Sequence, residues 1–150
     1  MDREDLDRMA GELPPAEASC SQAATHDVPV VSICITCKTA DGILVGPDLF
    51  EAVKAAADRM GADVQLRRVQ CLSVCKRPTT VAVSSSGGYT FLFGDLQVEA
   101  ADDLLSFVQA YQGADYGLVP WRQRAEVLRK GIVARIPPSR WSPDDGSAPK

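Results

Sequence analysis

The chain has 150 residues, a length that fits one domain and can bury a hydrophobic core without disulfide bonds. Its 45% hydrophobic and 24% charged residues exclude collagenous, coiled-coil and wholly disordered proteins. The formal net charge of −4 argues against broad nucleic-acid binding, and no apolar run approaches the ~18 residues of a membrane span.

Residues 1–28 are predicted to form a disordered acidic tail. Acidic side chains there outnumber Arg3 and Arg8, and proline and small residues fill much of the remainder. Low hydrophobicity with excess charge favours disorder. The N-terminus lacks the apolar core of a secretory signal, so we expect a cytoplasmic protein in a reducing compartment.

The segment that follows predicts a strand–helix–strand unit. Residues 29–35 are rich in β-branched types and indicate a buried strand. A helix is predicted over residues 47–61, because Pro47 suits its first turn, apolar residues recur on one face and Gly61 can end it. Residues 63–70 alternate in polarity and indicate a second strand.

The second half of the chain predicts a hairpin and a helix. Residues 79–86 and 89–96 read as strands joined by a two-residue Gly87–Gly88 connection, and residues 99–113 have helical spacing. A third, short helix is predicted to begin at Pro120, with an extended segment after it.

This order of elements predicts a thioredoxin-like α/β fold, a mixed four-stranded sheet with two helices. The strand–helix–strand unit requires a parallel crossover, and the hairpin adds antiparallel strands. We expect the domain to span residues 29–118, followed by a basic C-terminal arm, residues 119–140, packed on it. Residues 141–150 are expected to be loose. Trp121 and Trp141 are predicted to anchor the arm through apolar burial.

Two cysteine pairs follow the two strands of the crossover unit. Cys34 and Cys37 form C-x2-C at the end of the first strand, and Cys71 and Cys75 form C-x3-C after the second. The carboxyl ends of parallel strands meet at one sheet edge, so the four thiols are expected to converge there. Four bare thiolates repel one another, and a bound metal removes that repulsion.

Several kinds of site remain compatible with these pairs. Tetrahedral zinc and an iron–sulfur cluster both accept four thiolates. A dithiol redox pair at Cys34 and Cys37 is a further alternative, although it leaves Cys71 and Cys75 without a role. Simple burial of small apolar residues is the remaining one.

The other two residues with metal-binding side chains lie in the predicted tail. Cys20 has no partner at useful spacing and is expected to be a free thiol, and His26 is expected to be solvated. A Rieske centre requires two histidines, and cysteine hydrolases require a histidine beside the nucleophile. The composition therefore excludes a Rieske centre and disfavours hydrolase chemistry.

The second cysteine pair carries a resemblance to a known family. The string VQCLSVCKRPTTVAV resembles the corresponding element of thioredoxin-like 2Fe–2S ferredoxins and of the 24-kDa-type subunit of respiratory complex I. The resemblance implies that Cys34, Cys37, Cys71 and Cys75 hold a 2Fe–2S cluster. The first pair departs from that family, whose members have more than two residues between the corresponding two cysteines.

A closer resemblance covers nearly all of residues 30–138. The strings ICITCKTA, CLSVCKRPTTVAV, YTFLFGDL and DYGLVPWRQRAEVLRKGIVARIPP are similar to an uncharacterised bacterial family described as predicted metal-binding proteins. This resemblance implies a bound metal. Some members of that family are linked to cobalamin biosynthesis.

We therefore expect a ferredoxin-like electron carrier rather than an enzyme, with a zinc-binding structural or metal-handling module and a dithiol oxidoreductase as alternatives. Neither a nucleic acid nor a membrane is an expected partner. The expected partner is a redox or metal-handling protein with an acidic patch, because basic side chains flank the cysteines in sequence. These are Lys38, Arg67, Arg68, Lys76 and Arg77.

Overall fold

The computed structural model describes residues 28–138. The predictions for residues 1–27, including Cys20 and His26, lie outside the described residues, as do those for Trp141 and the loose C-terminal end. Within residues 28–138, no helix is long and apolar enough to span a membrane.

A five-stranded mixed sheet forms the centre of the fold, in the order β2–β1–β3–β4–β5. Strands β1 and β2 are parallel, and the other neighbouring pairs are antiparallel. The predicted mixed α/β architecture is confirmed. The strands are Val30–Cys34 (β1), Gln65–Val69 (β2), Val81–Ser84 (β3), Thr90–Phe93 (β4) and Ile132–Ile136 (β5).

The helices connect these strands in the predicted order. They are Gly46–Met60 (α1), Ala101–Gly113 (α2) and Glu126–Gly131 (α3), with short 3₁₀ helices at Val98–Ala100, Asp115–Gly117 and Trp121–Gln123. Helices α1 and α2 pack against each other and against the sheet around one hydrophobic core. Fully buried members of this core include Val31, Ile33, Leu49, Val53, Phe91 and Leu104.

The prediction of four strands is wrong by one, because the C-terminal arm supplies a fifth. Strand β5 pairs antiparallel with β4, and Phe91 faces Arg135 in the register. An uncovered outer edge of β4 would leave its backbone N–H and C=O groups without protein partners. The sequence predicts an extended segment here, but it does not predict with which edge strand that segment will pair.

The predicted helix from Pro120 is interrupted. A 3₁₀ helix spans Trp121–Gln123, and α3 begins only at Glu126. Between them Arg124 is extended, and its buried guanidinium donates from Nε and Nη2 to the carbonyl oxygen of Val119 at 3.0 and 2.8 Å. These two hydrogen bonds give the buried guanidinium group an acceptor and fix the bend of the chain between Val119 and Arg124.

The predicted anchoring role of Trp121 is wrong, since this residue is 52% exposed. Leu128 and Val119 are buried instead and attach the arm to the core. The arm also packs through Arg124, whose guanidinium lies 5.1 Å from the ring centre of Phe91. Apolar and cationic contacts of this kind replace the expected tryptophan anchor.

The predicted two-residue hairpin is longer than expected. Residues 85–89 connect β3 to β4, because the backbone N–H of Tyr89 donates to the carbonyl of Tyr116 at 2.8 Å instead of joining the ladder. The Tyr111 hydroxyl donates to the Tyr89 carbonyl at 2.6 Å. A Cβ at Gly88 would lie 2.5 Å from that hydroxyl, so the close approach requires glycine.

Candidate metal centre

The parallel pairing of β1 and β2 brings the two cysteine segments together. Cys34 lies beside Val69 in the register, and the N–H of Ile35 donates to the Val69 carbonyl at 2.9 Å. One residue further, the hydroxyl of Thr36 donates to the carbonyl of Gln70. The two segments therefore leave the sheet side by side, at the carboxyl edge expected from the sequence.

The first pair is buried at this edge. Cys34 is 0% and Cys37 6% exposed, and both are free thiols. Their Sγ atoms lie 2.9 Å apart, well beyond the ~2.05 Å of a disulfide bond. The Cys34 thiol also lies 3.6 Å from the carbonyl oxygen of Gln70, at the start of the second segment.

The second pair is exposed. Cys71 and Cys75 are free thiols at the surface, and their side chains are in hydrogen-bonding contact with each other. Cys75 lies near enough to Cys34 for the charge of one thiolate to act on the other. The four thiols therefore share one edge, arranged as one buried and one exposed pair.

Within residues 28–138, no three cysteine, histidine, aspartate or glutamate side chains surround a single point that could hold one metal ion. The thiols of each pair are in contact, and the two pairs are separated from each other. The two pairs leave the sheet at one edge, as expected from the sequence, but the four thiols do not converge on one point in the structure.

Backbone N–H groups are directed at the sulfurs of the buried pair. The N–H groups of Thr36 and Cys37 donate towards the sulfur of Cys34, and the N–H of Thr80 donates towards that of Cys37. Such donors favour an ionised thiol, as they do for other buried anions.

The exposed pair has backbone donors as well. The N–H of Ser73 donates to Cys71 Sγ at 3.2 Å, and the backbone N–H of Cys75 acts on its own sulfur. Ser73 has φ of 60°, in the left-handed region that non-glycine residues rarely adopt. The segment thus accepts an unfavourable backbone conformation at the residue whose N–H faces Cys71.

The thiols of the buried pair differ in acidity. Burial opposes ionisation of Cys34, but the hydrogen bond from the Cys37 thiol and the backbone donors outweigh it and lower the pKa of Cys34. Burial, together with the hydrogen bond and the negative charge of Cys34, raises the pKa of Cys37 to about 11. Of the two sulfurs, Cys34 therefore ionises more readily than Cys37.

In the exposed pair, the hydrogen bond and negative charge of Cys71 raise the pKa of Cys75. Mutual repulsion between neighbouring thiolates thus acts in both pairs, as expected for sulfurs held close together. A cation between them would relieve this repulsion.

The basic residues around the cysteines divide into two groups. Arg68 is engaged, since it lies 3.8 Å from the ring centre of Phe50 and pairs with Glu51 at 2.6 Å. Lys38 and Lys76 are exposed and make no ion pair within the described part of the chain. The sequence alone did not separate these groups, because both are charged residues near a cysteine.

Two residues that shape the site have no signal in the local sequence. A Cβ at Gly46 would lie 2.0 Å from the carbonyl oxygen of Cys34, so only glycine lets the N-terminus of α1 approach the first pair. Thr80 is fully buried, and its carbonyl accepts the N–H of Cys34 at 3.0 Å. Both roles depend on contacts between segments that are distant in sequence.

A mixed α/β domain with two free-thiol pairs at one sheet edge is a candidate metal-binding protein. The chain belongs to the family described as "Protein of unknown function (DUF1636)", which matches residues 31–138. The family membership predicted from the cysteine motifs is confirmed. No curated protein matches the chain.

Two solved structures are similar to the chain. One is a thioredoxin-like [2Fe-2S] ferredoxin from Aquifex aeolicus, 13% identical, with a TM-score of 0.49 over 77% of this chain and 99% of that one. The other is the wild-type thioredoxin-like [2Fe-2S] ferredoxin from the same organism, 14% identical, with a TM-score of 0.47 over 72% and 98%. Both TM-scores are below 0.5.

Proposed function

We propose that this chain is a ferredoxin-like protein that holds one 2Fe–2S cluster on Cys34, Cys37, Cys71 and Cys75 and transfers electrons to a protein partner. The observation that carries the proposal is that all four thiols are free and each sulfur has a backbone N–H donor. In the reducing cytoplasm, where we place the protein, such thiols stay available as ligands.

The four cysteine sulfurs are suitable ligands for a 2Fe–2S cluster. Iron–sulfur clusters are held by cysteine thiolates, and hydrogen bonds to the sulfurs adjust their potential. The N–H groups around the cysteines stabilise the negative charge that four thiolates bring. When bound, the cluster supplies one-electron redox chemistry.

The division into two pairs favours a 2Fe–2S cluster over a single zinc ion. Zinc requires its four sulfurs around one point, about 2.3 Å from each. A 2Fe–2S cluster instead takes two protein ligands at each of two irons. In such a cluster, Cys34 and Cys37 would hold one iron, and Cys71 and Cys75 would hold the other.

The unequal burial of the pairs supports a role in electron transfer. Cys34 and Cys37 lie inside the fold and exclude water from one side of the site, whereas Cys71 and Cys75 reach the surface. A partner that docks at the exposed pair comes closest to the site. The exposed Lys38 and Lys76 favour a partner that presents an acidic patch.

Anaerobic purification of the full chain, expressed with iron supplied, tests the proposal. We expect a red-brown protein with about two irons and two sulfides per chain, and an electron paramagnetic resonance signal after one-electron reduction. Iron, zinc and sulfide are measured on the same sample. Stoichiometric zinc without sulfide would contradict the cluster and support the zinc-binding module.

A further inference from the structure

A surface cavity of about 270 Å³ lies on the C-terminal arm. Its lining comes from the 3₁₀ helix before α3 and from α3 itself, and consists of Trp121, Glu126, Arg129 and Lys130. Trp121 is 52% exposed, and the guanidinium of Arg124 lies 5.6 Å from its ring centre. The fold therefore presents an aromatic wall that is partly open to solvent.

Arg129 is a cation of this cavity that the fold leaves without an acceptor. Its Nε is buried and has no hydrogen-bond partner within residues 28–138, and its guanidinium forms no ion pair there. Arg77 and Arg124, the other arginines that hold the arm, donate to backbone carbonyls. A buried donor without an acceptor is unfavourable, so an acceptor supplied from outside would be stabilised at Arg129.

The other two charges of the cavity offset each other. Lys130 Nζ pairs with Glu126 at 2.6 Å, which leaves one net positive charge at Arg129. The presence of Glu126 favours a singly charged anion over a phosphate. A carboxylate fits, because a planar guanidinium donates two parallel hydrogen bonds to it. The indole of Trp121 can cover the methylene groups that carry the carboxylate.

The size and position of the cavity favour a protein as the source of this carboxylate. Small-molecule sites usually have ~300–1,000 Å³ and enclose their ligand, whereas this cavity is smaller and open, and it suits one protruding side chain. The carbonyl oxygen of Lys130 accepts from Arg77 Nη2 at 3.0 Å. Arg77 is two residues after Cys75, so the cavity adjoins the segment that carries the exposed cysteine pair.

We propose that Trp121 and Arg129 form a docking pocket for a carboxylate side chain of an acidic protein partner. Arg129 binds the carboxylate, and Trp121 packs against its methylene groups. The pocket is separate from the four cysteines, and the identity of the partner as an electron-transfer protein rests on the proposed function.

Binding of acidic and neutral peptides to the full chain tests the pocket. Trp141→Phe leaves Trp121 as the single tryptophan, so its fluorescence reports on the pocket. The probes are end-blocked hexaglutamate, end-blocked hexaglutamine and acetate, at low salt. We expect a saturable change with hexaglutamate, none with hexaglutamine, and much weaker binding of acetate. Acetate binding as tight as that of hexaglutamate would overturn the assignment to a protein side chain.

Substitutions at Arg129 test the paired hydrogen bonds. Arg129→Gln is expected to weaken hexaglutamate binding at least about fivefold, and Arg129→Lys is expected to weaken it as well, because lysine keeps the charge but not the planar donor pair. Arg122→Gln is the matched control, since Arg122 is exposed on the same arm and does not line the cavity. Unchanged affinity in both Arg129 variants, or an equal loss in Arg122→Gln, would overturn the role of Arg129.

The same titration on metal-free and cluster-loaded protein separates the pocket from the proposed cluster. Hexaglutamate binding by a chain that assembles no cluster would support the pocket and refute the cluster. A cluster-loaded chain that does not bind hexaglutamate would refute the pocket alone. A chain with neither property would refute both.

Discussion

Arg77 donates from Nη1 to the carbonyl oxygen of Ile132 at 3.1 Å, which joins the end of the second cysteine segment to the first residue of β5. The same guanidinium donates to the carbonyl of Lys130 at 3.0 Å and pairs with Asp95 at 2.8 Å. Arg77 therefore holds the C-terminal arm against the site. The sequence places Arg77 among the basic residues expected to favour an acidic partner, whereas its contacts with Ile132, Lys130 and Asp95 give it a role in stabilising the fold.

Arg77→Gln is expected to lower the free energy of unfolding by about 1–2 kcal/mol, because hydrogen bonds from a charged group to backbone carbonyls are lost. This loss in the free energy of unfolding is smaller than that expected for fully buried hydrogen bonds, because the Arg77 side chain is 33% exposed and solvent screens its charge. Urea denaturation followed by circular dichroism measures it. Lys76→Gln, at an exposed neighbour, is the control and is expected to change stability by less than about 0.5 kcal/mol. Equal losses in both variants would contradict the joining role of Arg77.

Gly46→Ala is expected to destabilise the protein by roughly 1–3 kcal/mol and to weaken metal binding. The added Cβ would lie 2.0 Å from the carbonyl oxygen of Cys34, so the backbone of α1 or β1 must move. Thermal denaturation and metal titration of the same samples measure both effects. Gly113→Ala is the control, because a Cβ there meets nothing within 4 Å. A Gly46→Ala protein as stable as the wild type would show that a Cβ can be accommodated between Gly46 and the carbonyl oxygen of Cys34.

Serine substitutions are expected to separate ligands from other cysteines. Changing any one of Cys34, Cys37, Cys71 or Cys75 removes a thiolate and is expected to abolish or destabilise the bound group, because hydroxyl oxygen is a poor ligand for soft metal sites. Cys20→Ser is the control and is expected to leave metal content unchanged. Metal and sulfide analysis measures the result. Loss of metal in Cys20→Ser, with one of the four dispensable, would contradict the ligand assignment.

The reduced, metal-free protein is expected to lose stability as the pH rises from about 9 towards 11. The pKa of Cys37 is raised from 9.0 to about 11 in the folded state, so this thiol ionises first in the unfolded chain and favours unfolding over that range. Urea denaturation at several pH values measures the slope. Cys37→Ser removes this contribution, and an unchanged slope in that variant would contradict the assignment.

Lys38→Glu combined with Lys76→Glu is expected to slow reduction of the loaded protein by an anionic small-molecule donor several-fold at low salt. Charge steering acts over the ~8–10 Å screening length of physiological salt, so the effect is expected to shrink as salt increases. Stopped-flow kinetics measures the rate. A neutral donor is the control and is expected to react equally with both proteins. A salt-independent rate for the anionic donor would contradict steering by these lysines.

Much of the fold could be predicted because the relevant signals are local. Apolar periodicity and the glycine with φ of 62° after α1 defined that helix, and the β-branched run defined β1. The parallel crossover then required both cysteine pairs to leave the sheet at one edge, as Cys34 and Gln70 do.

Only the tertiary structure decided the features that depend on contacts between distant segments. Pairing of Ile132–Ile136 with β4, the fit of Gly46 against Cys34, and the division of the thiols into a buried and an exposed pair all belong to this class. The position of two cysteines in the sequence predicts which strand end they follow. The burial and hydrogen bonding of their thiols depend on the distant segments that pack against that strand end. For that reason the sequence by itself determined at which sheet edge the cysteines lie, and the packing of Gly46 and Thr80 against Cys34 decided how the first pair is held.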